Sequence, residues 1–113
     1  MVAAGAQVLV RELASQLRAP VVPTQMALGV IASDSLAFIG HGGLIEGEAI
    51  KQAFAEADVI LCVGCRFSSW RWDEWGPLVR RQHRVININT DASALGHPIL
   101  HDVAMQSGAK IAL

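Results

Sequence analysis

Cysteine is scarce, with two in 113 residues, which excludes a disulfide scaffold. Excess charge of either sign is missing too. Nine Lys+Arg against ten Asp+Glu leave a net charge of -1, where a dedicated nucleic-acid binder would carry a strongly basic face. No apolar run approaches the roughly 18–20 residues needed to cross a bilayer, so no membrane association is expected. The opening stretch Met1 to Leu9 is apolar but has no basic leader, and Arg11 and Glu12 interrupt it early, unlike a targeting signal. A cytoplasmic protein is the expectation. There is no internal repeat, low-complexity tract or charge block. What is present is core-forming material. Hydrophobic residues make up 52% and charged residues 17%, enough for one packed domain and unlike a disordered chain.

The periodicities predict alternating helices and strands. Leu9, Leu13 and Leu17 recur every four residues through 6–18, with Arg11, Glu12, Ser15, Gln16 and Arg18 on the other side, as in an amphipathic helix. Pro20 ends it, because a residue before proline is pushed out of helical geometry. Val21-Val22 and Leu36-Ala37-Phe38-Ile39 read as short strands. Ile45, Ala49, Ile50, Ala53, Phe54 and Ala57 form the apolar stripe of a second helix over 45–57. Asp58-Val59-Ile60-Leu61-Cys62-Val63-Gly64 is continuously apolar rather than alternating, the pattern of a strand buried on both faces of a parallel sheet. Arg84-Val85-Ile86-Asn87-Ile88-Asn89 and Val103-Ala104-Met105 read as further strands. This order predicts an α/β layered fold. The chain opens close to a helix and closes on Lys110-Ile111-Ala112-Leu113, which looks like the first turn of another. Both ends fit a domain cut from something longer.

Several residue groups invite chemical readings. Cys62-Val63-Gly64-Cys65 is formally a redox or metal pair. However, Cys62 lies inside the apolar run, no helix follows at once to lower a thiol pKa, and His97 and His101 stand too far downstream for a zinc finger. Buried structural thiols are the simpler reading. Gly40-His41-Gly42-Gly43 precedes a helix. Its glycines either let backbone approach a phosphate or simply form a tight turn with positive φ. Arg66 follows the carboxyl end of the apolar strand, where ligands of open α/β sheets sit; it can face a phosphate or an acidic side chain. Asp91, after the next strand, can accept from a ribose or an adenine amino group, or cap the turn Asp91-Ala92-Ser93. Trp70, Trp72 and Trp75 share a loop with Arg71. Three indoles in six residues are too much apolar surface to leave in water, and suit a domain or subunit contact better than bases. Arg80, Arg81, His83 and Arg84 form a basic cluster, expected to be a solvated face.

Taken in order, these stretches resemble a known family. Ala19-Pro20-Val21-Val22-Pro23-Thr24, Gly40-His41-Gly42-Gly43, the run from Glu56 through Ala57-Asp58 to Arg66-Phe67, and Val85 through Asn89-Thr90-Asp91 to Gly96 are similar to the central domain of the thiamine diphosphate-dependent enzymes. That group contains acetolactate synthase, oxalyl-CoA decarboxylase and benzaldehyde lyase. The most specific piece is Ala-Asp, an apolar strand, then Gly-x-Arg-Phe. The resemblance implies a Rossmann-like parallel sheet with helices on both faces, of the type that binds NAD or FAD. It implies one domain, 1–113, from a longer three-domain enzyme, lying between pyrimidine- and pyrophosphate-binding domains; the tryptophan loop points to a homo-oligomer. The parent would use thiamine diphosphate and Mg2+ to cleave or join carbon–carbon bonds next to a carbonyl, as a transferase or lyase. The catalytic glutamate and the Gly-Asp-Gly…Asn magnesium motif belong to the flanking domains, so this segment would not be catalytic alone. It would cradle FAD or ADP, or act as scaffold, with a pocket from Gly40, Gly42, Gly43, Arg66 and Asp91.

The sequence also departs from the family pattern. The family usually begins this domain with a strand near the middle of the sheet, and only Met1-Val2-Ala3-Ala4-Gly5 precedes the first helix here. Ser68-Ser69 stand where FAD-using members tend to be acidic, and Asn89-Thr90-Asp91 where Asp-Ile-Asp is common. Two alternatives stay open: a stand-alone Rossmann-type nucleotide-binding module, for which a Gly-x-Gly-x-x-Gly is lacking, and a non-catalytic interaction domain using the tryptophan loop.

Overall fold

A computed structural model describes residues 5–41, 47–67, 79, 82–96 and 99–113. The first helix, α1, spans Gln7–Leu17. It stops where Arg18 enters the left-handed region at φ 51°, and the N–H groups of Arg18 and Ala19 bond the carbonyls of Ser15 and Ala14. This arrangement satisfies carbonyls that a helix end would otherwise strand. Arg11 leaves the wet face of α1 to donate from Nε to the Val30 carbonyl at 2.9 Å, pinning the 24–37 connection. The second helix, α2, spans Glu48–Glu56 and buries Ile50. On its outer side Gln52 donates to Glu56 at 2.9 Å and Lys51 lies 3.6 Å from Glu48. The start predicted at 45 lies outside the described residues.

Three strands follow: β1 (Val59–Val63), β2 (Arg84–Asn89) and β3 (Val103–Gln106). They form one parallel sheet in the order β1-β2-β3, with Ile60 opposite Val85 and Ile86 opposite Val103. Parallel neighbours need crossover connections. The connections after β1 and β2 therefore start at the carboxyl ends of those strands, where the sequence reading sought a site. A short helix, α3 (Ala109–Ala112), ends the chain, as its last residues predicted. The two short strands expected at 21–22 and 36–39 amount to a single parallel bridge, Val21 to Phe38. The architecture is α/β and Rossmann-like.

One face of the sheet carries a core of Cys62, Phe67, Val85 and Ile99, with Ile60, Phe54 and Val22 packed against it. The basic cluster needs a correction here. His83 is buried, with its Nε2 2.6 Å from the Phe54 carbonyl, so it ties α2 to the entry of β2 rather than facing water. Arg84 is exposed as expected; Arg80 and Arg81 lie outside the described residues.

The apolar run at 59–63 was expected to be buried on both faces. Instead β1 borders the described sheet, with Val59 45% and Leu61 37% exposed. Asp58 and Gly64 turn their carbonyl and N–H to β2. By parallel-strand alternation, the backbone groups of Val59, Leu61 and Val63 therefore face the other way. On that side lies an apolar groove of about 650 Å³. Its walls are Val59–Cys62 and Val21–Pro23, and Leu13 and Leu17 of α1 help line it. The composition of β1 is that of an interior strand.

Candidate functional site

The carboxyl ends of β1 and β2 bring two of the predicted residues together. Register sets this up: Val63 lies opposite Ile88, so the segments that leave the two strands start side by side. Asn89, at the end of β2, is buried and holds both segments. Its Nδ2 donates to the Cys65 carbonyl at 3.3 Å, and its Oδ1 accepts from the Asp91 N–H at 3.1 Å. Phe67, at φ 49°, inserts its ring into the core and fixes the first segment from below. Arg66 is thereby aimed outward, and its Nη2 meets Asp91 Oδ2 at 3.1 Å. The pair is a rim feature, with the Arg66 side chain 67% and that of Asp91 35% exposed.

Asp91 serves the chain as well. Its Oδ1 accepts from the Ser93 N–H at 2.9 Å and from the Ser93 hydroxyl at 2.6 Å, capping the 3₁₀ turn Ala92–Ala94. These bonds, with the Arg66 guanidinium, favour the carboxylate and hold its pKa below the ordinary value. Both readings of Asp91 thus meet in one side chain. It caps a turn, and it presents its second oxygen to a cation at the ligand rim.

Gly40 plays a different part. Its φ is +129°, a conformation open to glycine, and a Cβ there would come within 2.9 Å of Ile50 Cδ1. It is a close-approach glycine against α2. Among the described residues, Ile50 is the neighbour within 4 Å of that Cβ position. Gly42 and Gly43 lie outside the described residues, as do Trp70, Trp72 and Trp75.

The Cys62 and Cys65 thiols are free and do not form a reactive pair. Burial pushes Cys62 well above the ordinary thiol value and raises Cys65 too, opposed for the latter by a bond from the Phe67 backbone. Thiolate chemistry is disfavoured at both. Among the described residues no three of His, Cys, Asp and Glu come together as metal ligands. No described helix is long and apolar enough to cross a membrane.

Sequence reasoning missed a second polar group beside the site. Asn87 is fully buried on β2, with its Nδ2 3.3 Å from His101 Nε2 and 3.5 Å from the Ala94 carbonyl. The signal was present: asparagines two apart in an otherwise apolar strand share one face, and that face is the inner one.

An exposed guanidinium and a carboxylate after adjacent parallel strands can address a phosphate and a ribose hydroxyl. Comparison with known proteins agrees with the fold. The family model described as thiamine pyrophosphate enzyme, central domain, matches residues 1–113. A probable acetolactate synthase large subunit of Methanocaldococcus jannaschii is 27% identical over 113 residues, covering 97% of this chain. A pyruvate oxidase of Lactiplantibacillus plantarum is 25% identical over 99 residues, 88% of the chain. A probable acetolactate synthase large subunit of Methanococcus aeolicus is 27% identical over 109 residues, 96% of the chain. The chain spans only 16–18% of the length of these curated relatives. The family model's match over residues 1–113, on an α/β fold with a parallel sheet, leads to one conclusion: this chain belongs to the thiamine pyrophosphate enzyme family, as its central domain.

Proposed function

We propose that this chain is the scaffolding and nucleotide-cradling domain of an enzyme that cleaves or joins carbon–carbon bonds next to a carbonyl. The parent would carry flanking pyrimidine- and pyrophosphate-binding domains and assemble as a homo-oligomer. Thiamine diphosphate with Mg2+, held by those domains, would supply a thiazolium carbanion there. The chain's own part is to present the rim at Arg66 and Asp91. The observation that carries the reading is their 3.1 Å approach after adjacent parallel strands.

In this reading Arg66 swings from Asp91 to the phosphates of an ADP-like ligand. The freed Asp91 Oδ2 then accepts from a ribose hydroxyl or adenine amine, while Ser93 keeps Oδ1 fixed. The groove beside β1 supports the reading of the segment as part of a larger sheet, completed by a strand that precedes α1 in the parent. A second reading is favoured by the ion pair itself. Arg66 and Asp91 already satisfy each other, as a purely structural rim would.

Titrating the chain with ADP, FAD and NAD separates the two. Saturable binding that weakens about 10–100-fold in Arg66→Ala supports the cradle, since a charged hydrogen bond to phosphate is worth about 1.5–3 kcal/mol. Absence of binding at roughly millimolar ligand leaves the scaffold role alone.

A further inference from the structure

Beyond the rim, His101 joins the end of the 91–96 segment to β2. Its Nδ1 accepts the Gly96 N–H at 2.9 Å, and its Nε2 lies 3.3 Å from the Asn87 amide. A ring nitrogen that accepts from a backbone N–H carries no proton. The neutral imidazole therefore holds its proton on Nε2, toward Asn87. Asn87 completes the assignment. With Nδ2 facing the ring, two donors oppose each other and the fully buried Oδ1 has no partner. Turning the amide over gives Oδ1 the Nε2–H, at the cost of the long 3.5 Å bond to Ala94 and of placing Nδ2 where Oδ1 had no partner. Both ends of the ring then require one neutral tautomer.

The segment held this way runs from Asp91 through the Ala92–Ala94 turn to Gly96. Asp91 fastens its start to Ser93 and Arg66, and His101 fastens its end to β2. We propose that His101 is a proton-operated clasp on this segment: neutral, it ties Gly96 to β2, and protonated, it releases Gly96 and loosens the rim that carries Asp91. An imidazolium has a donor on each nitrogen, so an Nδ1–H would be driven against the Gly96 N–H.

The charged surroundings offer the cation little compensation. From the start of β3, the Asp102 carboxylate accepts the Val85 N–H at 2.7 Å. From the turn, Asp91 is engaged with Ser93 and Arg66. No described carboxylate forms an ion pair with His101, and burial lowers its pKa from the ordinary value. His97 lies outside the described residues.

The clasp is tested on the ¹⁵N-labelled chain by following imidazole and backbone resonances from pH 8 to pH 5. The expected result is an Nε2–H tautomer with a midpoint below the histidine norm of about 6.5. The Gly96, Asp91 and Ser93 amides should shift at that same midpoint, and Gly96 should lose exchange protection below it. His101→Gln should abolish those shifts in this pH range. An Nδ1–H tautomer, or a Gly96 amide that ignores the His101 midpoint, would overturn the proposal. Both decisive readouts come from the unsubstituted chain, whether or not the variant folds, and neither depends on nucleotide binding.

Discussion

At Asp91, the bonds that set the pKa are short-range and within the chain. Ser93 supplies the largest effect through its hydroxyl and then its N–H, and Arg66 adds to it from the segment after β1. Because the folded carboxyl titrates below its unfolded value, its stabilising contribution is complete above the unfolded pKa and is lost as pH falls through the folded one. Ser93→Ala removes the hydroxyl. The Asp91 midpoint should then rise toward the ordinary aspartate value, and the onset of acid loosening should rise with it. Carboxyl ¹³C shifts measured against pH check this. An unchanged midpoint would mean that Arg66 or the Ser93 backbone is sufficient. The capping role was legible beforehand because Asp91 and Ser93 are two residues apart, and local hydrogen-bond geometry follows from such spacing. An acidic partner for Arg66 was one of the readings, but that the partner is Asp91 was not legible. It depends on the register of β1 against β2, which no single segment encodes.

Among the elements, α1, α2 and β2 follow their patterns closely. A 3.6-residue stripe or a strongly β-forming run is a property of the segment itself. The environment of β1 was misread, because a continuous apolar run specifies what a strand can bury and not which neighbours are present. His83 misled for a similar reason. Three arginines around it suggest water, yet α2 offers it a carbonyl. The glycine stretch shows how backbone and packing constraints separate. Gly40 combines φ +129° with a 2.9 Å approach to the flexible end of Ile50. Gly40→Ala should therefore cost about 1–3 kcal/mol, chiefly from the backbone. Adding Ile50→Val relieves the contact but should not restore stability, since that trim costs about 0.5–1.5 kcal/mol itself. Urea unfolding of both variants decides it. Recovery in the double variant would assign the cost to the contact instead.

For the whole molecule, the border at β1 dominates. A strand made of Val, Ile, Leu and Cys exposes a parallel edge over an apolar groove, and its side chains at 59 and 61 remain well exposed. Proteins usually blunt such edges with charge, proline or a covering element. The described part of β1 has none of these within its five residues. On its own, then, the chain should associate with itself through this edge in a concentration-dependent way. Leu61→Lys places a charge there without entering the Cys62–Val85 core, because Leu61 lies on the opposite face from Cys62. Sedimentation of the two proteins across a concentration series should show the unsubstituted chain shifting to larger species and the lysine variant remaining monomeric. Equal behaviour would mean that the edge is already protected. The same substitution should reduce folding when placed in a longer parent chain, because there the groove would hold a strand and the lysine would be buried against it. Opposite signs in the two contexts would identify the groove as an interior position of the complete sheet rather than as a surface of the finished protein.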